Sequence, residues 1–452
     1  MLFISALIPL VLVIIMRTST IWVLAALIAY LLAPWLYLIP ALLIIKLYEI
    51  PNRIKTIKEA RNILSGSPNL IVIGITGSYG KTTVKEMLKT VLLKKYKVLS
   101  TPKSFNTLFS ISQVIKDQLK PEHEIFIVEM GAYKIGEIAE LCRMVKPKIG
   151  ILTGITNQHL ERFGSIENIV RAKYELIESL PSDGVAVFNI DSIPCDALYT
   201  QTILSKIGYS RNGQADITAT GVSTSILTNR PIIQFNIAVN SSILRSVEVL
   251  NKLELKVPGE HNVSNALAAI AVALFLDVNP EHIRQAVSEI KTPEHRLQIL
   301  TNPDSTVIID DAYSSNREGA AAAINLVKKF TNKPKIIVTP GLVELGKAQF
   351  EENKNFGKLI AESFDYAVIV NKTNRQSLLS GLKESGWVEE CVSSKEKMSS
   401  SVFAPIAAKT LEDRKLIFTH DSLEKVTKEI LPKLIKPGSL ILFENDLPDI
   451  YE

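Results

Sequence analysis

A chain of 452 residues exceeds a single ordinary core and leaves room for two or three domains. With 47% apolar and 21% charged residues, and only 21 each of Gly and Pro, disorder, collagen and low-complexity repeats are excluded. A net charge of +5 is too small to argue for a nucleic-acid partner, and Cys142, Cys195 and Cys391 stand too far apart for a disulfide framework or a zinc spacing.

The apolar surplus sits at the start. From Met1 to Ile45 the only charged side chain is Arg17. Residues 1–16 are apolar apart from Ser5, Arg17-Thr-Ser-Thr20 interrupts, and residues 21–45 carry no polar side chain except Tyr. The second run would reach roughly 37 Å as a helix, enough to span a hydrocarbon core of about 30 Å. No basic start or cleavage site marks a signal peptide. The pattern therefore predicts a transmembrane helical hairpin. Lys46, Arg53, Lys55, Lys58 and Arg61 follow it, against only Glu49 and Glu59. That bias places the anchor in the inner (cytoplasmic) membrane, with the rest of the chain on the cytoplasmic side.

From residue 70 short β-rich runs alternate with helical patterns, the signature of an α/β fold with parallel sheets. Strands are expected at Leu70–Ile75, Ile125–Val128 and Ile149–Thr153. Between Asp216 and Val257 the alternation turns antiparallel in character, and Pro258-Gly259 opens an Ala-rich helix ending near Leu276. A second α/β series holds Val307–Ile309, Ile336–Val338, Ala367–Val370, Leu416–Phe418 and Leu440–Phe443. The expected domains are an anchor over 1–46, a linker over 47–66, a central domain over 67–292 and a C-terminal domain over 293–452.

Between the first strand and its helix lies Gly74-Ile-Thr-Gly-Ser-Tyr-Gly-Lys-Thr-Thr83. Gly77 and Gly80 let backbone N–H groups turn inward around phosphate oxygens, Lys81 reaches the outer phosphates, and the Thr82 hydroxyl holds Mg²⁺. The strict Walker spacing fails by one residue, because Ile75 stands where it wants glycine. An ordinary strand–turn–helix would explain the glycines. It would not explain Lys81, since a cation at a helix N-terminus opposes the helix dipole.

Two further positions stand out by chemistry. Glu129 ends an apolar strand at its carboxyl end, where open α/β sheets bind ligands, and suits a hard cation together with Thr82. Lys173 falls within an apolar stripe of Ile166, Val170, Ile177 and Leu180 on a helix over 165–180. A buried ammonium needs a reason, of which snorkelling or an ion pair with Glu129 or Glu161 is the simplest.

The loop spelling resembles the ATP loop of the Mur ligase superfamily, whose members form amide bonds in cell-wall precursors. The resemblance continues in order through Val128-Glu-Met-Gly131, Gly136-Glu-Ile138, Asn157-Gln-His-Leu-Glu161, Phe163-Gly-Ser165, Ala172-Lys173, Pro258-Gly-Glu-His-Asn262, Asn265, His295-Arg296, Asp310-Asp-Ala-Tyr313, Asn316 and Glu344-Leu-Gly346. It is nearest to the MurF type, which adds D-alanyl-D-alanine to a UDP-muramoyl tripeptide. It implies a P-loop ATPase central domain, a Rossmann-like C-terminal domain and ligation through an acyl phosphate.

It also implies site roles. Gly77, Ser78, Tyr79, Gly80, Lys81, Thr82 and Thr83 would hold ATP, with Asn262 and Asn265 at the adenine, Asp311 at the ribose and Arg296 at the phosphates. Two Mg²⁺ ions would sit on Thr82, Glu129, His159 and a carbamate formed from Lys173. Lys81, Lys173, His159 and Arg296 would be the catalytic set, and Asp310, Tyr313 and Asn316 would line the amine cleft. The implied partners are a UDP-linked or lipid-linked muramoyl peptide, an amino acid or dipeptide, and the membrane, with no nucleic acid. Arg317 replaces a proline usual in MurF enzymes, Ser315 an alanine, and Asn353 a common histidine. Residues 46–66 leave no room for a UDP-gripping domain before the first strand. A membrane-anchored poly-γ-glutamate synthase, a pseudomurein-type ligase and a P-loop ATPase serving a membrane partner are the competing readings.

Overall fold

The structure, a computed structural model, describes residues 20–102, 105–156, 160–227, 230–241, 243–244, 250–292, 296–312, 317–343, 345–390 and 415–445, without the side chains of 20–23, 26, 31–48, 160–161, 318 and 347. Its first element is helix α1 (Thr20–Ser65), 46 residues long. Its polar half packs against a helix of residues 108–118, where Glu59 pairs with Lys116 at 2.8 Å and Arg53 lies 5.1 Å from the centre of the Phe109 ring.

This element corrects the expected anchor. Among the described residues no helix is long and apolar enough to cross a membrane. The apolar run is not a self-contained span: one unbroken helix carries it on through Lys46, Glu49, Arg53, Lys55, Lys58, Glu59 and Arg61. The transmembrane hairpin, and the inner-membrane location inferred from it, are withdrawn on this ground. Residues 1–19, the other half of the expected hairpin, lie outside the described residues.

The remaining chain builds two sheets. The first holds β1 (Ile71–Thr76), β2 (Val98–Ser100), β3 (Ile125–Glu129), β4 (Ile149–Leu152), β5 (Val185–Asn189), β6 (Ser205–Ser210), β7 (Ile217–Leu227), β8 (Arg230–Val239) and β9 (Leu250–Leu255). Their spatial order is β2-β3-β1-β4-β5-β6-β7-β8-β9, parallel through β6–β7 and antiparallel from β7 to β9. The fully buried spelling of β1, β3 and β4 is what helices on both faces require. Intervening helices are α2 (Lys81–Leu92), α3 (Leu108–Gln118), α4 (Glu137–Val145), α5 (Leu160–Phe163), α6 (Ile166–Glu178), α7 (Ile193–Gln201), α8 (His261–Phe275) and α9 (Pro280–Glu289). Because β1 leads outward to β2 on one side and its neighbour β4 continues on the other, the carboxyl end of β1 is a topological switch point.

The second sheet has the order β10 (Gln298–Thr301), β11 (Val307–Asp311), β16 (Leu440–Glu444), β12 (Lys335–Thr339), β13 (Tyr366–Val370), β15 (Leu416–His420), β14 (Val388–Glu390). All neighbours are parallel except β10 with β11. Helices α10 (Arg317–Lys328), α11 (Gln349–Ser363) and α12 (Arg375–Glu384) connect them.

One local device fixes the helix that matters most below. Ser165 caps α6 by accepting from Asn168 N (3.3 Å). From the same helix the buried Glu175 accepts from Gly136 N (2.6 Å) and Ala139 N (3.0 Å) at the start of α4, satisfying donors that a helix N-terminus leaves open. Glu175→Ala should cost about 1–3 kcal/mol in urea unfolding. Glu175→Gln, which retains one acceptor, should lose less.

Candidate active site

The loop after β1 is shaped by close approach. At Gly77 (φ 154°) a Cβ would collide with Thr153 Oγ1, and at Gly80 (φ 77°) it would lie 2.7 Å from Asn265 Oδ1. Ser78 N donates to Gly154 O (2.7 Å), and Thr153 Oγ1 donates to Tyr79 O (2.5 Å). Asn189 at the end of β5 in turn donates to Thr153 O (2.7 Å). Neighbouring strand ends therefore hold the loop by its own backbone.

Two lysines meet on one carbonyl. Lys81 Nζ donates to Gly77 O at 2.8 Å, and Lys173 Nζ donates to the same oxygen at 3.1 Å. Burial lowers the pKa of Lys81; Glu129 opposes that shift and Arg296 adds to it. Lys173 is only 4% exposed, and burial followed by the charge of Lys81 brings it down to about 7. Near neutrality it is therefore divided between ammonium and free amine. Its helix presents Ile169, Ala172, Leu176 and Ile177 to the core rather than the stripe through Ile166 and Val170, which are half-buried. The buried position of Lys173 survives this correction because it shares the face of Ile169 and Leu176.

Glu129 is 1% exposed at the end of β3. Asn106 Nδ2 donates to its Oε1 at 3.5 Å, and Lys85 Nζ lies 3.4 Å from its Oε2. Lys85 is fully buried and escaped the sequence reading. The signal was available: it lies four residues after Lys81, on the α2 face that buries Val84, Leu88 and Leu92. Glu129 does not pair with Lys173, as the simplest sequence reading allowed; its partner is Lys85.

A cavity joins the two sheets' contributions, lined by Thr83, His261, Asn262, Arg296, Leu297 and Asp311 among others. His261 opens α8, and burial, then Arg211 and Arg296, lowers it to about 4, so it is neutral at ordinary pH. Asn262 Nδ2 donates to Pro258 O (2.6 Å) and Asn265 Nδ2 donates to Asn262 Oδ1 (2.9 Å). This amide chain runs from the head of α8 to Gly80. Asp311 Oδ1 accepts from Leu297 N at 3.0 Å, whereas Asp310 Oδ1 accepts from Ala312 N at 3.1 Å.

The predicted site thus assembles in part. Gly77 to Thr83, Glu129 and Lys173 gather at the switch point, and Asn262, Arg296 and Asp311 share the adjoining cavity. His159, Tyr313 and Asn316 lie outside the described residues, as do Ser315 and Glu344. Asn353, which stands where the resemblance implies a common histidine, is fully buried. It accepts from Leu342 N (2.8 Å) and donates to Leu342 O (2.9 Å), holding the turn after β12.

Residues 75–273 match the Mur ligase middle domain. The chain carries a Mur ligase middle domain. A curated relative is the UDP-N-acetylmuramoyl-tripeptide–D-alanyl-D-alanine ligase of Mycobacterium tuberculosis (strain CDC 1551 / Oshkosh), 30% identical over 333 residues, covering 72% of this chain and 63% of that protein. Among solved structures, MurF from Acinetobacter baumannii aligns with a TM-score of 0.69 at 24% identity over 87% of this chain and 77% of that one. MurF ligase from Thermotoga maritima in complex with ADP aligns with a TM-score of 0.67 at 23% identity, over 87% and 80%. The two structures show the Mur ligase fold. The chain spans about six-tenths of the length of the curated relatives it matches.

Lys85 and Glu129 form a buried pair, and removing one partner strands the other. Lys85→Met should destabilise by about 3–5 kcal/mol. Lys85→Met combined with Glu129→Leu should recover part of that loss, as a double-mutant cycle in urea would measure.

Proposed function

We propose that this protein is an ATP-dependent amide ligase of the MurF type, joining D-alanyl-D-alanine to the terminal carboxylate of a muramoyl peptide. The observation that carries this reading is the pair of lysines on Gly77 O at the end of β1, Lys173 buried and Lys81 half-buried, beside a cavity lined by Arg296. Stacked positive charge in a water-poor pocket is costly unless an anion belongs there. The curated relatives' printed activity gives that anion a class.

A carboxylate does not react with an amine at neutral pH, because oxide is a poor leaving group. Transfer of the γ-phosphoryl of ATP to the carboxylate oxygen yields ADP and an acyl phosphate. The amine nitrogen then attacks the acyl carbon, loses a proton, and phosphate departs as the amide forms. Lys81 and Arg296 neutralise charge on the phosphoryl oxygens during transfer, the main source of catalysis in such reactions. The glycine loop supplies N–H donors, and Asn262, Asn265 and Asp311 orient the nucleoside. Asp310, Tyr313 and Asn316 are assigned to the amine.

The residues fit Mg²⁺. Glu129 is buried, with Asn106 and Lys85 beside its two oxygens at 3.5 and 3.4 Å, and Thr82 adds a hydroxyl, a hard oxygen set that phosphate and water would complete. Glu129, Thr82, His159 and a carbamate on Lys173 would hold two such ions. When bound, they would spread the charge of the transferring phosphoryl group. The carbamate follows from the chemistry of Lys173. Its free-amine nitrogen attacks CO₂, one proton leaves, and the product is an anion beside Lys81. Like-charge repulsion becomes attraction.

The test offers purified protein ATP, a muramoyl tripeptide in UDP-linked or lipid-linked form, and D-alanyl-D-alanine. Phosphate release should require both acceptor and amine, and ¹⁸O placed in the acceptor carboxylate should appear in the phosphate. Release without either substrate would mark an ATPase, and a growing polymer a polyglutamate synthase. ¹³C-labelled CO₂ should give a carbamate resonance that Lys173→Ala abolishes. That variant should lose turnover by at least ~10²-fold, with partial rescue by formate or acetate.

A further inference from the structure

The reading so far leaves one buried acid without a role. Glu444 ends β16, is fully buried, and neither of its carboxyl oxygens has a hydrogen-bond donor among the described residues. In the parallel pairing of β11 with β16 it stands directly beside Asp311, and the two carboxyl groups are within hydrogen-bonding reach. A buried carboxylate with no donor is expensive, so such a group calls for a proton or a cation.

The surroundings say where a proton would sit. Asp311 receives Leu297 N–H and the field of Arg296, both of which favour its charged form, while Asp310 opposes it. Among the described residues the charged group acting on Glu444 is Asp311. The cations of the neighbouring β12 and α10 have partners of their own. Lys335 on β12 donates to Val327 O (2.9 Å), and on α10 Arg317 pairs with Glu352 (3.1 Å) and Lys328 with Glu362 (3.2 Å). His261, neutral, lines the same cavity as Arg296 and Asp311.

We propose that Glu444 is a positioning residue: it stands as the neutral acid, donates its O–H to Asp311, and so fixes the segment that carries Arg296 into the cleft. The segment needs fixing. Leu297 is held at φ 53°, a left-handed conformation that a leucine adopts only under constraint, and the constraint is its N–H bond to Asp311. Asn445 completes the anchor, donating from its N–H to Asp311 O (3.3 Å) and from Nδ2 to Gly341 O (2.6 Å). The role deepens the ligase reading and rests on it for the nucleotide, though not for the proton.

The sign of the pH dependence follows. Burial raises both carboxyl groups above the ordinary carboxylate range, helped at Glu444 by the charge of Asp311 and at Asp311 by that of Asp310. The native chain then binds more protons than the unfolded one, so stability falls as pH rises from about 4 through the raised values. Glu444→Gln keeps a donor toward Asp311 without the ionisation. In the full chain its melting temperature should exceed the parent's at pH 8.5, with the gap closing toward pH 5. ADP affinity of the parent, relative to Glu444→Gln, should drop with rising pH, by up to about tenfold per pH unit once the shared proton is gone. Glu444→Leu, which cannot donate, should bind ADP weakly at every pH. A melting gap that is the same at all pH values overturns the proposal. So does a parent whose melting temperature rises with added Mg²⁺ or K⁺ while Glu444→Gln is indifferent, because a cation would then be the missing partner. If no form binds ADP, the nucleotide reading fails, while the melting curves still decide the shared proton.

Discussion

Everything at the cleft depends on a conflict of charge held in a dry place. Lys81 and Lys173 donate to a single oxygen, Gly77 O, where burial favours neither ammonium. The fold tolerates this because the loop is also fastened from outside, through Thr153 and Gly154. The helix bearing Lys173 is fastened independently by the Glu175 contacts to the head of α4. Charge that is costly in the resting fold is thus available to a phosphate. Binding energy then comes from relief of repulsion as well as from new hydrogen bonds.

Much of this arrangement was legible in the sequence, and the reason is periodicity. Apolar runs of three to six residues marked β1, β3, β4 and the five central strands of the second sheet within a residue or two. The short edge strands β2, β14 and β10 were missed, because their three or four residues mix polar with apolar side chains and form no such run. Lys173 was found because a charge in an apolar helix demands explanation. Lys85 satisfies the same criterion and was overlooked, since the Lys-Thr-Thr signature beside it absorbed attention. Glu444 could not have been found by pattern. Its significance lies in standing next to Asp311 across two strands 133 positions apart, a pairing that only the sheet order reveals.

The N-terminal helix shows the opposite failure. Composition over 45 residues suggested a self-contained membrane element, yet the backbone runs on as one helix whose later turns engage α3 through Glu59, Lys116 and Arg53. Helix boundaries depend on capping and turn residues, and none interrupts this segment: Pro34, Pro40 and Pro51 all lie inside the helix without ending it. Hydropathy alone marked a segment, not where it stops.

The second sheet handles its carboxyl edge by different means from the first. Around the turn after β12, Asn353, Gln349 and Asn374 all donate to Leu342 O, at 2.9, 2.6 and 2.9 Å, while Asn445 holds Gly341 O. These are neutral amides, and the choice has an electrostatic consequence. A cluster of ammonium groups or of carboxylates there would add its own field to that of Arg296 in the cavity. Amides satisfy the buried backbone without adding a field. Substituting asparagine for the histidine common at position 353 belongs to the same logic: it replaces a titratable ring with a donor and acceptor that serve one carbonyl and one N–H. The ionisable exception is the Asp311–Glu444 pair. It sits where the neutral clamp, through Asn445, meets the strained Leu297 segment, so this ionisable joint lies next to Arg296.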